Sequence, residues 1–362
     1  MVVFAVFPVN NFWRRVNHTQ PPFRSIILSR FLVLTLILSC LHGRSQELHR
    51  LQIHPIDLDM ETDYFPHVIH QVENVGEEIF IRGKKDPRIF VINRTGKILR
   101  TIGKKGHGPG EFSQGVLAMG IWGEQIFAMD VNQRELLLWF SNGAYQNQFK
   151  VNSSNSVPFG MNSNTFGVSD EFVVFPVSPR TGHLAAAYTY SGERVAEVGK
   201  IQFDKSDADL LEKIPDMNNT NWVYQAPYWY CLFKQFPLIH KYNERFELIS
   251  GISLEHPRIS QRFEEILDFD PARFSTAPPL FFDFKVKNGY LYATMRSTLI
   301  QVNIEKETIE NMYSFFGRGE GFKGTSQLTI HHFTIMDDGL MILSGDFAWG
   351  HDLWKAPLPS FK

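Results

Sequence analysis

An all-β fold is predicted for this chain of 362 residues by three observations. Aromatic residues make up 14% of it, with 32 Phe, 11 Tyr and 7 Trp, and aromatic side chains favour strands. Short apolar runs alternate with turn signals from Glu47 onward. Turns of the form Thr-Gly, Asn-Gly and Ser-Gly also recur at a nearly constant interval, since Gly96, Gly143 and Gly192 stand 47 and 49 residues apart. A two-residue turn ending in Gly between alternating segments is a strong local sign of a β-hairpin.

That interval is a structural repeat. Residues 88–102 (RIFVINRTGKILRTI), 134–151 and 183–201 each read as strand, turn and strand. Two shorter strands precede each hairpin, at 68–75 and 79–82, then 116–122 and 126–130, then 166–168 and 172–177. Each unit is therefore four antiparallel strands. Three further units follow with looser punctuation, at 222–252, 281–316 and 331–358, and the last contains only three strands. Six units of which the last lacks its outermost strand predict a ring, because radial closure leaves only short, protected edges. The expected architecture is a six-bladed β-propeller with four antiparallel strands per blade. Its missing strand comes from residues 47–59 (ELHRLQIHPIDLD), which have no partner in the first unit. Two β-sandwiches would not require one period across the whole chain.

The segment 1–46 stands outside this scheme. It holds Arg14, Arg15, Arg24, Arg30 and Arg44 and no acid, and it contains the apolar run Phe31 to Leu41. A basic region before a short apolar run is the pattern of an export signal. As a helix that run reaches only roughly 16 Å, short of the roughly 30 Å hydrocarbon core, so no transmembrane helix is expected in the mature chain. The run ends in Ile37-Leu38-Ser39-Cys40, which resembles a bacterial lipobox and implies a lipid anchor on Cys40. Ordinary cleavage near residues 43–46 is the alternative. The stretch before Ser25 exceeds what a signal needs, so translation is expected to start further along. Residues 47–362 are then one propeller domain with a single thiol, Cys231, in the apolar run YWYCLF. A buried structural cysteine is the expectation there.

Gly106-His107-Gly108-Pro109-Gly110-Glu111-Phe112 directly follows the last strand of the first unit. This GxGPGEF sequence resembles the signature of TolB-like or NHL-like six-bladed propeller proteins exported by Gram-negative bacteria, many of them lipoproteins. The resemblance implies the fold and a location in the periplasm or outer membrane, and supplies no catalytic set. A weaker echo occurs at residues 317–322. The glycine-rich loop has two readings. It is an anion site formed by exposed N–H groups with Lys104, Lys105, His107 and Arg318, or it is a connection between blades in which Phe112 plugs the gap between sheets.

His70, Asp283 and His332 hold comparable early positions in the first, fifth and sixth units, so they are candidates for a cluster lining the central channel. Calcium prefers oxygen ligands, and this set differs from the carboxylates and Asn side chains of paraoxonase-type lactonases, so no metal and no cofactor are expected. There is no Gly-x-Ser-x-Gly elbow. Trp222, Tyr224, Tyr228, Trp229 and Tyr230 either pack between blades or offer a stacking surface. The formal net charge of −2 becomes −6 once residues 1–39 are removed, which argues against a nucleic-acid partner. The expected function is that of an exported, lipid-anchored module binding a protein, peptide or small ligand. The alternative is a lactonase-like hydrolase or lyase with a metal in the channel.

Overall fold

In a computed structural model, the structure describes residues 48–58, 69–83, 86–130, 132–151, 166–177, 181–207, 210–211, 214, 217–269, 277–317, 329–346 and 353–359. The segment 1–46 with Cys40, and Arg318 with most of the 317–322 echo, lie outside them.

The apolar strands assemble into successive four-stranded antiparallel sheets. The first contains β2 (Ile69–Val75), β3 (Glu78–Gly83), β4 (Ile89–Ile92) and β5 (Ile98–Ile102), and the second β6 (Val116–Trp122), β7 (Gln125–Asp130), β8 (Glu135–Phe140) and β9 (Tyr145–Lys150). The third contains β10 (Gly167–Val168), β11 (Phe172–Pro176), β12 (His183–Thr189) and β13 (Arg194–Lys200), and the fourth β14 (Thr220–Gln225), β15 (Tyr228–Phe233), β16 (Leu238–Tyr242) and β17 (Leu248–Ser253). The fifth set, β18 (Phe284–Lys287), β19 (Tyr290–Met295), β20 (Thr298–Asn303) and β21 (Thr308–Gly317), is joined to the sixth, β22 (Thr329–Ile335), β23 (Leu340–Asp346) and β24 (Leu353–Pro357). The joint is β1 (Leu48–Pro55), which makes one eight-stranded sheet of the two blades.

The N-terminal strand closes the ring in a way that a simple fourth-strand model misses. At its C-terminal end it pairs antiparallel with β24, His54 opposite Lys355 and Pro55 opposite Trp354. Over most of its length it instead runs parallel to β21, from Leu48 opposite Met312 to Ile53 opposite Gly317. It therefore holds the outer edges of two neighbouring blades at once.

Every blade is covered on both faces, which explains why middle strands are apolar at consecutive positions. In β8, Leu136 and Leu138 pack towards the third blade with Phe166 and Val173, while Leu137 and Trp139 pack towards the first with Phe80 and Val91. Five such clusters join consecutive blades. A sixth puts Met336, Ile342 and Leu353 of the last blade against Ile69, Ile79 and Phe90 of the first, which completes the circle. The surplus of Phe and Trp fills these wedges.

The hairpin signal weakens after the third unit for a local reason. Gly96 has φ +90° and closes the β4–β5 turn by donating its N–H to the Asn93 carbonyl at 3.0 Å. In the β16–β17 turn the same bond is made by Phe246, which adopts φ +62°. The left-handed geometry is kept without the glycine that announces it. One helix went unforeseen, α1 (Pro257–Leu267), in the connection from β17 to β18. His256 caps it, Pro257 begins it, and Ile259 and Ile266 seat it on the core. A 3-10 turn forms at Lys205–Asp207 between the third and fourth sheets.

Candidate functional site

The first strands of the six blades, β2, β6, β10, β14, β18 and β22, contact one another in succession and form a closed inner ring. Chain direction divides the two faces of the disc. Each connection from an outer strand to the next inner strand arrives where the inner strands begin, and these are the long ones, such as 103–115 and 254–283. The opposite face carries short hairpin turns such as residues 76–77 and 93–97.

Three inner strands are distorted at the mouth on the long-loop face. β2 bulges between Ile69 and Gln71, β6 between Val116 and Ala118, and β22 between Ile330 and His332. The extra residues, His70, Leu117 and His331, are half-buried and hold equivalent places in three blades. Bulges re-aim side chains and free main-chain groups from the ladder. The His331 ring meets Phe282 of the fifth blade edge-on at 4.9 Å. Arg82, at the end of β3, donates from Nη2 to the His70 carbonyl at 3.1 Å and from Nη1 to the Val116 carbonyl at 3.0 Å. It is 3% exposed.

Just inside stands Asp283, with no exposed surface. Its Oδ1 accepts from the Phe284 N–H at 2.8 Å and its Oδ2 from the Phe333 N–H at 3.2 Å. His332 Nδ1 lies 3.7 Å from Oδ2, too far for a hydrogen bond. Lys285 Nζ is 3.7 Å from the same oxygen and pairs closely with Glu73 across the ring from blade five to blade one. Glu73 in turn accepts from Gln71 Nε2 at 3.0 Å, and Gln71 Oε1 accepts from the Met119 N–H at 2.8 Å. Further along, Thr334 bonds Asn74 at 2.5 Å and Lys287 bonds the Ile335 carbonyl at 2.6 Å. The interior of the ring in blades five, six, one and two is thus tied by its own side chains.

Burial dominates the protonation states. It pushes the His332 imidazole down to about 4, Arg82 and His331 adding to this and Asp283 opposing it. It likewise raises the Glu73 carboxyl, with Lys285 offsetting part of the effect. Burial works against charge on Asp283 and Lys285 too, but their mutual attraction and nearby partners reverse it, leaving Asp283 low and Lys285 high. The contacts of blade three with blades two and four are made close by glycine. A Cβ at Gly167 would stand 2.7 Å from the Trp229 ring, and one at Gly120 2.8 Å from Phe166.

Of the residues singled out from sequence, Asp283 and His332 stand 3.7 Å apart, and His70 lies at the mouth with its carbonyl held by Arg82. Among the described residues no group of three His, Cys, Asp or Glu converges as a metal site. Ser344 stands opposite His332 in the β22–β23 register, and its hydroxyl is fully enclosed. Lys104, Lys105 and His107 are exposed on the long-loop face. The anion acceptor there is already supplied by the loop itself: Glu111 takes the Gly108 N–H at 2.9 Å and the Lys104 ammonium at 3.0 Å. Those contacts hold the Glu111 carboxyl below the usual range, the Gly108 N–H foremost. Phe112 is fully buried against Trp139, with ring centroids 5.3 Å apart, and a Cβ at Gly103 would strike it at 2.5 Å. The GxGPGEF motif is therefore a self-satisfied plug between blades one and two. Trp222, Trp229, Tyr230 and Tyr224 are buried, while Tyr228 is covered by Lys241 at 4.1 Å. Cys231 is buried and its thiol is pushed well up by that burial.

Arg82, Glu73 and Lys285 escaped the sequence reading. Glu73 lies two positions after Gln71, and Lys285 and Lys287 follow Asp283 at the same spacing, so polar residues at period two on a first strand were the available signal. Arg82 left none.

Comparison with known proteins agrees with this geometry. Residues 46–167 match the DUF5128 family model, described as a 6-bladed β-propeller. No curated protein matches the chain. A structure described as an exported protein from Bacteroides fragilis is similar, with a TM-score of 0.55 and 10% identity over 87% of this chain and 97% of that one. A member of the DUF4221 family from Bacteroides vulgatus gives 0.51 and 10% over 86% and 97%. Streptogramin B lyase gives 0.50 and 10% over 85% and 98%. Such identities establish a shared propeller fold and carry no activity across. No helix of the described residues is long and apolar enough to cross a membrane.

Proposed function

We propose that this chain is an exported propeller of the periplasm or outer membrane of a Gram-negative bacterium, anchored by lipid on Cys40, which binds a protein, peptide or small ligand at the long-loop mouth of its channel. The observation that carries this reading is the convergence at that mouth of three bulged inner strands, the long connections and the residues His70, Arg82, Asp283, His331 and His332. Binding residues concentrate on loops displayed by a rigid scaffold. The opposite face has short turns, and the interior is occupied by the Lys285 tie.

A thermal-shift screen of organic acids, sugars and short peptides tests the location. A stabilising compound whose effect disappears in Leu117→Arg at the mouth, and survives in Leu248→Glu on the outer rim, supports the proposal. Dependence on the rim alone, or no mouth-dependent compound, sinks it. The anchor is tested separately: Cys40→Ala should move the protein from the membrane to the soluble fraction, and unchanged fractionation refutes lipidation.

A further inference from the structure

The guanidinium of Arg82 is not explained by the fold. Arginine carries five N–H donors, and here two are used, on the carbonyls of His70 and Val116. Nε is buried with no acceptor. Among the described residues no carboxylate pairs with this cation, and burial alone pulls it down to about 9. A cation nine-tenths buried without a counter-charge is costly, since such charges are ordinarily paired. The two main-chain carbonyls take one N–H from each terminal nitrogen and supply no counter-charge. The buried carboxylates of the inner ring, Glu73 and Asp283, are committed to Lys285.

The setting determines what could supply the missing charge. Phe282, His331, His70 and Leu117 follow one another around the mouth through blades five, six, one and two, all of them half-buried. Arg82 is fixed between His70 and the residue preceding Leu117. A planar guanidinium with donors to spare matches the two oxygens of a carboxylate, and Phe282 and Leu117 offer an apolar border. We propose that the mouth takes a small carboxylic acid with an apolar or aromatic body, its carboxylate completing the charge of Arg82. This inference rests on the binding-module reading above and specifies its ligand class.

Benzoate and its neutral isostere benzamide are suitable probes, with inorganic phosphate as a second anion. Benzoate should raise the melting temperature in a concentration-dependent manner while benzamide does not. Arg82→Lys, which keeps the charge but loses the fork, should weaken benzoate at least tenfold by calorimetry. Because changes at Arg82 can also loosen the two bulges, Leu117→Glu provides an independent test. It places a carboxylate beside the guanidinium, and should raise the melting temperature and abolish the benzoate response. Equal responses to benzoate and benzamide, or a Leu117→Glu protein that melts no higher and still responds, overturn the proposal. So does a response to phosphate alone. If carboxylates fail while a neutral compound binds in a mouth-dependent way, the carboxylate inference falls and the binding module stands.

Discussion

Lowering the pH from 7 to 5 should weaken this propeller through two enclosed histidines. Burial pushes both His240 and His332 from the ordinary 6.5 down to about 4. Each stays neutral in the fold while its unfolded counterpart gains a proton as the pH falls through 6.5. Between that value and 4 the unfolded chain binds more protons, so the stability present at neutral pH is lost on acidification. At 1.36 kcal/mol per pKa unit the whole shift is worth about 3 kcal/mol per histidine, of which about 2 are lost by pH 5. His240 is the cleaner case. Its ring packs edge-on against Phe233 at 5.1 Å, its Nδ1 sits 3.1 Å from the Tyr242 hydroxyl, and burial is the sole cause of its shift. Urea unfolding of the native protein and His240→Gln at pH 7, 6 and 5 should show the native protein losing about 2 kcal/mol more than the variant. Glu73 acts with the opposite sign, because its raised pKa lets the folded state take up a proton first, but it is common to both proteins and cancels in the difference. Identical pH slopes would refute the assignment of a neutral, buried His240.

Three further outcomes can be measured in the same way. Phe112→Ala empties a fully buried site between two blades and should cost about 3–5 kcal/mol in urea unfolding, placing the GxGPGEF motif among the stability determinants. Lys285→Met leaves Glu73 and Asp283 enclosed without their cation and should cost about 3–5 kcal/mol, part of it recovered by adding Glu73→Gln; no recovery in the double variant would mean the tie across the ring is energetically idle. Gly167→Ala drives a methyl to 2.7 Å from the Trp229 ring and should cost about 1–3 kcal/mol, seen as a lower melting temperature.

The repeat could be read from sequence because its turns are local events: a glycine with positive φ closes the hairpins at Gly96, Gly143 and Gly192. Where Phe246 adopts that conformation the punctuation vanishes although the turn remains, and the inner strand Thr220–Gln225 was hidden in an aromatic run. The helix Pro257–Leu267 was missed between two better-marked units, although Pro257 signals its start. At the site, Asp283 and His332 were found by comparing equivalent positions in different units. The bond of Lys285 to Glu73 joins blades that are not neighbours in the ring, and Arg82 reaches main-chain atoms freed by bulges. Contacts of that kind depend on the assembled circle and leave no mark on any one segment.

The double pairing of Leu48–Pro55 has a consequence for the order of assembly. This strand waits for partners near residues 312–317 and 354–355 before it has any sheet to join. Bringing ends some 260 residues apart together costs about 5 kcal/mol of chain entropy, too much for an early step. The clasp is therefore a late kinetic event, made after blades one to five have formed from near-neighbour contacts, and contacts of such long range slow folding. Until it closes, the edges of β21 and β24 stay open, and an unclasped chain can donate its N-terminal strand to the ring of another molecule.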